Sequence, residues 1–322
     1  MTVRYCVTID TEEEWDWDSG WPTSIPAIEN IRHLQTFQDV CSKYEAATTY
    51  FVNRAVLDSP VIDDVIRDFQ DREHCEMGMH IHPWNTPPIS NQAVTAEESF
   101  IANLPDDVAN QKLQHVYDHL ISAGITPTSF RGGRYSCGPN TQKFLRNNGF
   151  IADASPVPFT QWDSPGSPDF ASRDGRPVRI DDNDLPPLWE LPLTLGFTRN
   201  PQRLYAKLFQ TIRQSPLRHL RLIGLAERLG IVRRVWLNFE DPMGDNMLPY
   251  LQQLRKERPF YVCFTLHSSS LLPGGNLYVP TNDDVQRLLK RTADSLSILQ
   301  QWEDFQPATI SQIAKDLEGQ FA

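Results

Sequence analysis

Arg4-Tyr5-Cys6-Val7-Thr8-Ile9-Asp10, followed at once by Thr11-Glu12-Glu13-Glu14, is an apolar run that ends in an acidic cluster. An apolar run of this length with β-branched residues is typical of a buried strand. Because successive side chains on a strand point to opposite faces, Asp10 and Glu12 are expected on one side and Thr11 on the other. Two carboxylates at the carboxyl end of a strand can divide the work, one binding a cation and one accepting a proton. The alternative interpretation is a solvated acidic turn.

Similar apolar runs recur along the chain and alternate with helical patterns. The predicted strands are Arg4–Asp10, Ala47–Asn53, Glu76–His82, Thr128–Arg131, Gly149–Asp153, Val235–Phe239 and Tyr261–His267. The predicted helices between them are Ile28–Tyr44, Pro60–Arg72, Thr95–Leu104, Asp107–Ala123, Asn140–Asn147, Arg203–Gln214 and Leu217–Leu229. This alternation predicts a mostly parallel sheet, and about seven strands in one chain indicate an α/β barrel or near-barrel. Functional sites in such folds collect at the carboxyl ends of the strands.

Two stretches interrupt the alternation. Residues 155–188 are rich in proline, which is typical of a long functional loop or lid. Residues 200–234 are helical and rich in arginine, which favours a solvated helix face or an oligomer contact, with an anion contact as the alternative. An N-cap signal at 281–284 precedes a periodic helix. We therefore expect one catalytic domain over residues 1–322, with an insert at about 155–234 and C-terminal helices at 281–319.

The overall charge narrows the classes of partner. Lys plus Arg is 30 and Asp plus Glu is 41, which gives a formal charge of −11. This balance argues against nucleic acid and anionic membranes, and it favours a neutral or cationic ligand. No run of about 18 uncharged apolar residues is present, so no membrane span is predicted. The five cysteines are few and far apart, which together with the N-terminal sequence predicts a cytoplasmic location.

A second constellation lies in Glu76-Met77-Gly78-Met79-His80-Ile81-His82-Pro83-Trp84-Asn85. On a strand, His80 and His82 share a face, so two imidazoles can grip one metal ion. Gly78 permits close approach of a neighbouring strand, and Pro83 ends the strand. A structural role in the core is the alternative for either histidine.

Three more predicted strands end in residues suited to chemistry. Arg131 ends one in a glycine-rich turn and can reach a carboxylate bidentately. Asp153 ends another, and His267 ends a third, where it can act as a general acid or base. Each signal is weak alone, because a salt bridge, an ordinary strand exit and a structural histidine are the respective alternatives.

One histidine pair is interpreted as a decoy. His115 and His119 have the i, i+4 spacing of helical zinc sites. However, Leu113, Val116 and Leu120 form the apolar stripe of that helix, so both histidines are predicted to face water.

Taken in order, these segments resemble the polysaccharide deacetylase family, also called the NodB-homology family or carbohydrate esterase family 4, from residue 5 to about residue 275. The resemblance implies an α/β fold, an irregular (β/α)7 barrel, in enzymes that remove N- or O-acetyl groups from sugars with one divalent metal, usually zinc. It implies Asp10 as the base, Arg131 as its brace, His267 as the acid and Asp153 as the residue that orients the acid. His80 and His82 match the metal-binding motif, and Leu188–Pro192 is similar to the family's Glu-Leu-Pro strand.

Two positions depart from the family pattern. The usual first motif is Asp-Asp with the second Asp on the metal, and that place is Thr11 here, so Glu12 is expected to replace it. The usual second motif is H-x-x-x-H, and alignment on His80 puts Trp84 at the second histidine, so His82 is expected to supply the ligand. The string H-x-H-P-W-N-T-P-P resembles a divergent, WalW-like branch of the family.

The resemblance implies a mechanism around a divalent ion, expected to be zinc, held by Glu12, His80 and His82. Asp10 takes a proton from water, and His267 donates one to the leaving amine. Aromatic residues cluster around these segments and are expected to bind the substrate: Trp15, Trp17, Trp84 and Tyr135, with Trp162 in a lid.

The predicted function is therefore a metal-dependent hydrolase of acetylated sugars. Two alternatives stay open. One is an amidohydrolase acting on a small, non-sugar C–N bond, which a cytoplasmic location favours. The other is a non-catalytic glycan-binding relative, suggested by Thr11 and Trp84 and opposed by the retention of Asp10 and His267. The sugar, the preference for N- or O-acetyl groups and the oligomeric state do not follow from the sequence.

Overall fold

The structure is a computed structural model that describes residues 2–17, 19–60, 67–70, 72–182, 184–214, 233–240 and 247–321. Its strands are β1 (Val3–Thr11), β2 (Thr48–Val52), β3 (Cys75–Ile81), β4 (Ser129–Gly132), β5 (Ala152–Asp153), β6 (Val178–Asp182), β7 (Leu185–Glu190), β8 (Leu195–Phe197), β9 (Arg234–Trp236), β10 (Tyr261–His267) and β11 (Phe305–Pro307). Its α-helices are α1 (Leu34–Lys43), α2 (Arg54–Leu57), α3 (Arg67–Gln70), α4 (Asp106–Ser122), α5 (Pro139–Asn147), α6 (Gln202–Gln214), α7 (Met247–Glu257), α8 (Asn282–Gln300) and α9 (Ile310–Phe321). Short 3-10 helices lie at Glu29–His33, Ile101–Asn103, Gly133–Tyr135 and Ser268–Leu271.

The main sheet is curled and mostly parallel. Its strand order is β10-β1-β2-β3-β4-β5-β7-β6, and β11 also pairs with β1. Only β6 runs antiparallel to its neighbour in this sheet. The ribbon of β8 and β9 reaches β10 through a single parallel bridge between Asn238 and Thr265. The predicted α/β class and irregular barrel are confirmed by this topology.

Two hydrophobic cores lie on the two faces of the sheet, and β1 contributes to both. Val7 and Ile9 pack in the outer core, between the sheet and the helices. Cys6 belongs to the inner core, together with Phe51 of β2. The alternation of side chains along β1 therefore places its even-numbered positions toward the inside of the barrel. Asp10 continues this inward series at the strand end, which explains how a carboxylate enters the interior.

The predicted elements recover most of the fold. The helix predicted at Thr95–Leu104 is wrong, because only Ile101–Asn103 forms a single 3-10 turn there. Thr95 and Glu98 close a local turn on each other, and Pro105 follows too soon for a helix to propagate. The predicted helix Leu217–Leu229 and most of Pro60–Arg72 lie outside the described residues.

The stretch expected to be an insert contains regular structure. Strands β6 and β7 form a hairpin, and β7 joins the main sheet beside β5. Helix α6 follows within the same stretch. At the C-terminal end, Thr281 is the N-cap of α8 within the predicted segment 281–284, and it forms a capping box with Asp284. In the part of the chain that the structure covers, no helix has the length and apolar character needed to cross a bilayer.

Candidate active site

The carboxyl ends of the parallel strands bring the candidate residues to one edge of the sheet. The register pairs Asp10 of β1 with His267 of β10. It also pairs His80 of β3 with Arg131 of β4. A cavity of about 270 Å³ opens at this edge, and its ionisable lining residues are Asp10, Glu12, His80, His82, Arg134, Tyr135, His267 and Tyr278.

Glu12, His80 and His82 converge on one point. The Glu12 Oε2 atom lies 3.0 Å from His82 Nε2 and 3.4 Å from His80 Nε2. The two Nε2 atoms lie 3.1 Å apart, and all three side chains are buried. Three side chains with lone pairs that face one another in a buried site can be satisfied by a cation between them. One carboxylate and two imidazoles are a ligand set suited to zinc, so the residues present fit a divalent ion.

Each imidazole is oriented by a partner on its other nitrogen. His80 Nδ1 lies 2.7 Å from the carbonyl oxygen of Arg131, and His82 Nδ1 lies 2.8 Å from Glu13 Oε1. Glu13 also accepts hydrogen bonds from the side-chain amides of Asn53 and Asn85. When Nδ1 donates to such an acceptor, Nε2 keeps its lone pair for a metal. Glu13 is therefore a fourth residue of this group, missed by the sequence analysis.

The protonation of this group reflects mutual electrostatics. Burial acts to raise the pKa of Glu12, but His267 and His82 outweigh it and hold that pKa below its usual range. Burial acts to lower the pKa of His82, whereas Glu13 and Glu12 raise it to about 10.

Asp10 forms an ion pair with Arg131, which is fully buried. Arg131 donates from Nη1 to Asp10 Oδ1 at 2.7 Å and from Nη2 to Thr8 Oγ1 at 3.0 Å. Its Nε donates to the carbonyl of Ala154, and its guanidinium lies 4.5 Å from the centre of the Phe51 ring. Burial opposes the charge on Arg131, but Asp10 outweighs this effect and raises the pKa of the guanidinium. Arg131 fixes Asp10 from behind, while Asp10 itself faces the cavity.

His267 is supported by Glu240, not by Asp153 as the resemblance implied. His267 Nδ1 lies 3.0 Å and 3.1 Å from the two carboxylate oxygens of Glu240, which also accepts from the His267 backbone N–H. His267 Nε2 lies 3.9 Å from Asp10 Oδ2. Burial acts to lower the pKa of His267, but Glu240 and Glu12 raise it to about 10.

Asp153 lies on the other face of the sheet. Its register partner Phe130 belongs to the outer core, whereas the flanking Ala152 and Ala154 belong to the inner core. The Asp153 carboxylate accepts hydrogen bonds from the backbone N–H and hydroxyl of Ser155. Burial raises the pKa of Asp153 to about 6. Because neighbouring side chains of a strand point to opposite faces of the sheet, Asp153 points away from the cavity that Asp10 faces.

Aromatic side chains form the walls of the cavity, and all four of the residues predicted to bind substrate line it. Trp84 stacks on His82 with ring centres 4.2 Å apart, and Trp15 packs on Trp84 at 4.8 Å. Trp17 lies edge-on to His267 at 4.9 Å. On the opposite wall, Tyr135 stacks on Trp162 at 5.6 Å with nearly parallel rings. Trp236, Asn238, Phe100 and Tyr278 also line the cavity and were not predicted.

The residues missed by the sequence analysis carried only faint signals. Glu240 follows the predicted strand Val235–Phe239 directly, the same form of apolar run and acid that marked Asp10 and Asp153. Glu13 stands inside the acidic cluster that was quoted for Asp10 and Glu12. The histidine pair of α4, His115 and His119, is half-buried, and His119 Nδ1 lies 3.4 Å from Asp58 Oδ1.

No protein-family model and no curated protein matches the sequence. Solved structures share the fold. A candidate polysaccharide deacetylase from Mycobacterium smegmatis is 13% identical with a TM-score of 0.57, covering 99% of this chain and 91% of its own. The Puue allantoinase is 14% identical with a TM-score of 0.56, covering 98% and 90%. A further candidate polysaccharide deacetylase, from Pseudomonas aeruginosa PAO1, is 14% identical with a TM-score of 0.55, covering 98% and 91%. At these identities the likeness establishes that the chain has the fold of these proteins.

Proposed function

We propose that this protein is a metal-dependent hydrolase that removes acetyl groups from N-acetylated sugars. The observation that carries the proposal is the convergence of Glu12, His80 and His82 beside Asp10 and His267 in one cavity. A metal-ligand group alone would serve binding or structure. Its position next to a carboxylate and a histidine that are 3.9 Å apart supports hydrolysis.

Glu12, His80 and His82 would hold one divalent ion, with zinc the proposed metal. When bound there, such an ion polarises the amide carbonyl and lowers the pKa of a water molecule. Three protein ligands leave room for water and substrate, which is the pattern of catalytic zinc sites.

The residues of the chain would then move the protons. Asp10, kept in place by Arg131, accepts a proton from the attacking water at its free Oδ2. His267, held by Glu240 on Nδ1, donates a proton from Nε2 to the leaving nitrogen. An amine needs this proton, because an amide anion is too poor a leaving group at neutral pH. A backbone N–H near Tyr135 is proposed to assist the oxyanion.

The aromatic walls support a sugar as the substrate. Trp15, Trp17, Trp84 and Tyr135 offer flat faces of the kind that pack on the apolar faces of sugar rings. We propose that the chain is one catalytic domain in which the stretch 155–234 shapes specificity, since Trp162 from that stretch lines the cavity. We further place the chain in the WalW-like branch on the H-x-H-P-W string.

A second candidate function is hydrolysis of a small, non-sugar C–N bond. The cavity volume of about 270 Å³ favours it, because ligand pockets commonly measure roughly 300–1,000 Å³ and this cavity is slightly smaller than that range. A polymer would have to present a single residue to the metal group.

Acetate and ammonia release would test the proposal. The purified protein, loaded with zinc, would be assayed for acetate from N-acetylated sugars and for ring opening or ammonia release from ureides and imides. Acetate release supports the first function, and ureide turnover supports the second. Turnover of neither class by protein with one bound metal would overturn both and leave the glycan-binding alternative.

Asp10→Asn is the variant that tests the assigned chemistry. It removes the proton acceptor while leaving the metal ligands in place, so we expect kcat to fall about 100- to 10,000-fold with unchanged metal content. Full activity in this variant would exclude Asp10 as the base.

A further inference from the structure

Arg134 lines the cavity, and no acidic side chain among the described residues pairs with its guanidinium. Its partners among the described residues are Ser99 Oγ, Ser164 Oγ at 3.0 Å and the carbonyl of Ala96 at 3.4 Å. All three acceptors are neutral. The other arginine of the site, Arg131, is by contrast fully paired with Asp10.

Arg134 retains hydrogen-bonding capacity toward the cavity. A guanidinium has five N–H donors, and three hydrogen bonds use at most three of them. Nε is not among the buried atoms that lack a partner, and it has no acceptor in the described chain, so it reaches solvent. At least two donors therefore remain for a ligand.

The surroundings hold the guanidinium in place. Its central carbon lies 3.9 Å from the centre of the Phe100 ring and 5.3 Å from that of Trp21. Stacking on aromatic faces fixes the plane of the fork while leaving its edge free. Burial lowers the pKa of Arg134 to about 10, so the side chain remains charged at neutral pH.

The backbone turn that presents Arg134 is costly. Arg134 and Tyr135 have φ values of 53° and 61°, a region that residues with a Cβ rarely adopt. A Cβ added at Gly132 would lie 1.8 Å from the carbonyl oxygen of Ser136, and one added at Gly133 would lie 2.3 Å from that of Ile81. The tight turn sets Arg134 and Tyr135 side by side on the cavity wall.

We propose that Arg134 binds a carboxylate of the substrate, so that the preferred substrate is an N-acylated compound bearing a carboxylate away from the scissile amide. The amide part of this statement rests on the proposed function. A carboxylate matches the planar fork of Arg134, which is the one Lys or Arg among the described residues that line the cavity. A phosphate dianion fits less well, because Asp10 and Glu12 line the same cavity. Arg134 is thus a local exception to the preference for neutral or cationic ligands that the charge of −11 suggested.

Matched substrate pairs test the proposal. The first pair is N-acetylglucosaminuronic acid and its neutral C6 amide; the second is N-carbamoylglycine and its neutral amide. For the zinc-loaded wild type we expect kcat/KM to favour the acid in the pair that is turned over. Arg134→Gln should reduce this acid-to-amide ratio about 10- to 100-fold, as expected for a charge-assisted hydrogen bond. Arg134→Lys should lie between the two.

Arg32→Gln is the matched control, because it removes one positive charge from an exposed arginine outside the cavity. It should leave the ratio unchanged. Thermal melts of every variant show whether the fold is retained, and if Arg134→Gln is unfolded, the ratio measured for Arg134→Lys decides. A ratio near one in the wild type, or an equal loss for acid and amide in Arg134→Gln, would overturn the proposal.

Binding measurements separate this proposal from the proposed function. Titration calorimetry of the same four compounds reports affinity without turnover. If the wild type turns over neither pair but binds the acids more tightly, and Arg134→Gln abolishes that difference, the carboxylate site stands and the hydrolase function fails. If neither turnover nor a preference for the acids is observed, both fail.

Discussion

The cavity contains two histidines that are each supported by a carboxylate, His82 by Glu13 and His267 by Glu240. They differ in the groups that their free nitrogens face. On the side proposed to bind the metal, here called the metal flank, His82 Nδ1 contacts Glu13. Its Nε2 faces Glu12 and His80. On the side proposed to transfer protons, here called the proton flank, His267 Nδ1 contacts Glu240. Its Nε2 faces the carboxylate of Asp10 at 3.9 Å. An imidazole braced by a carboxylate therefore has no fixed role. If the proposed roles are correct, the groups that face its free nitrogen decide whether the imidazole binds a cation or carries a proton.

Glu12→Gln should have the largest effect, because it removes the only charged ligand of the metal flank. We expect loss of the bound metal and a fall in kcat/KM of about 1,000-fold or more. Metal analysis of the purified variant beside acetate release measures both. Glu14→Gln, which alters the same acidic run without touching a ligand, is the control. Retention of one metal per chain in Glu12→Gln would show that the flank is not a metal site.

Glu240→Gln should disable the proton flank while sparing the metal. The pKa of His267 is raised to about 10 by Glu240 and Glu12 against burial, so removal of the Glu240 charge should lower it. His267 must be protonated to act as the acid, so activity falls as the pH rises through its pKa. The alkaline limb of the pH–rate profile should therefore move to lower pH, with about 10- to 100-fold less activity at pH 8. An unshifted alkaline limb would remove Glu240 from the role assigned here.

Glu13→Gln isolates the same bracing contact on the metal flank. The amide can no longer hold the His82 tautomer with a negative charge, so we expect metal affinity to weaken about 10- to 100-fold. The alkaline limb should stay where it is in the wild type when metal is saturating. Competition with a chelator measures the affinity. If Glu13→Gln instead shifted the pH profile and left affinity intact, the contrast between the flanks would be wrong.

Asp153→Asn should affect neither flank, since Asp153 lies behind the sheet. Its pKa of about 6 in the folded protein exceeds the ordinary value of 3.8. Such a group adds stability below pH 4 that is lost as the pH rises through 6. Relative to the wild type, the variant should therefore gain up to about 3 kcal/mol in free energy of unfolding between pH 4 and 7. Urea denaturation across this range measures the difference, and a difference that does not change with pH would contradict the buried placement.

The three proposed ligands of the metal flank could be predicted from the sequence, whereas Glu13, which orients His82, was missed. Glu12 and the two histidines sit at the ends of two strands whose alternation is visible in the sequence. Parallel strands then bring these ends together without further information. The barrel class followed from the same regularity of strands and helices.

The proton flank could be predicted only in part. Asp10 and His267 end regular strands, but Glu240 reaches His267 through the docking of an irregular segment by one bridge, Asn238 to Thr265. Asp153 is the reverse case, because it was expected at the site and the structure places it elsewhere. It has the same sequence form as Asp10, yet its position in the strand register turns it to the outer face. Which face a two-residue strand such as β5 presents is set by its neighbours and not by its own pattern.

The position of β1 in the sheet determines when the candidate site can be completed during synthesis of the chain. This strand carries Asp10 and leads into Glu12. One of its edges is completed by β10, and the start of its other edge is completed by β11 beside β2. The Glu12 backbone is tied to the hydroxyl of Ser268, 256 residues further along the chain. The candidate-site residues on β1 can therefore reach their final arrangement only after residues 261–268 have been synthesised and have folded against that strand. A nascent chain that ends before Tyr261 should therefore lack a complete candidate site.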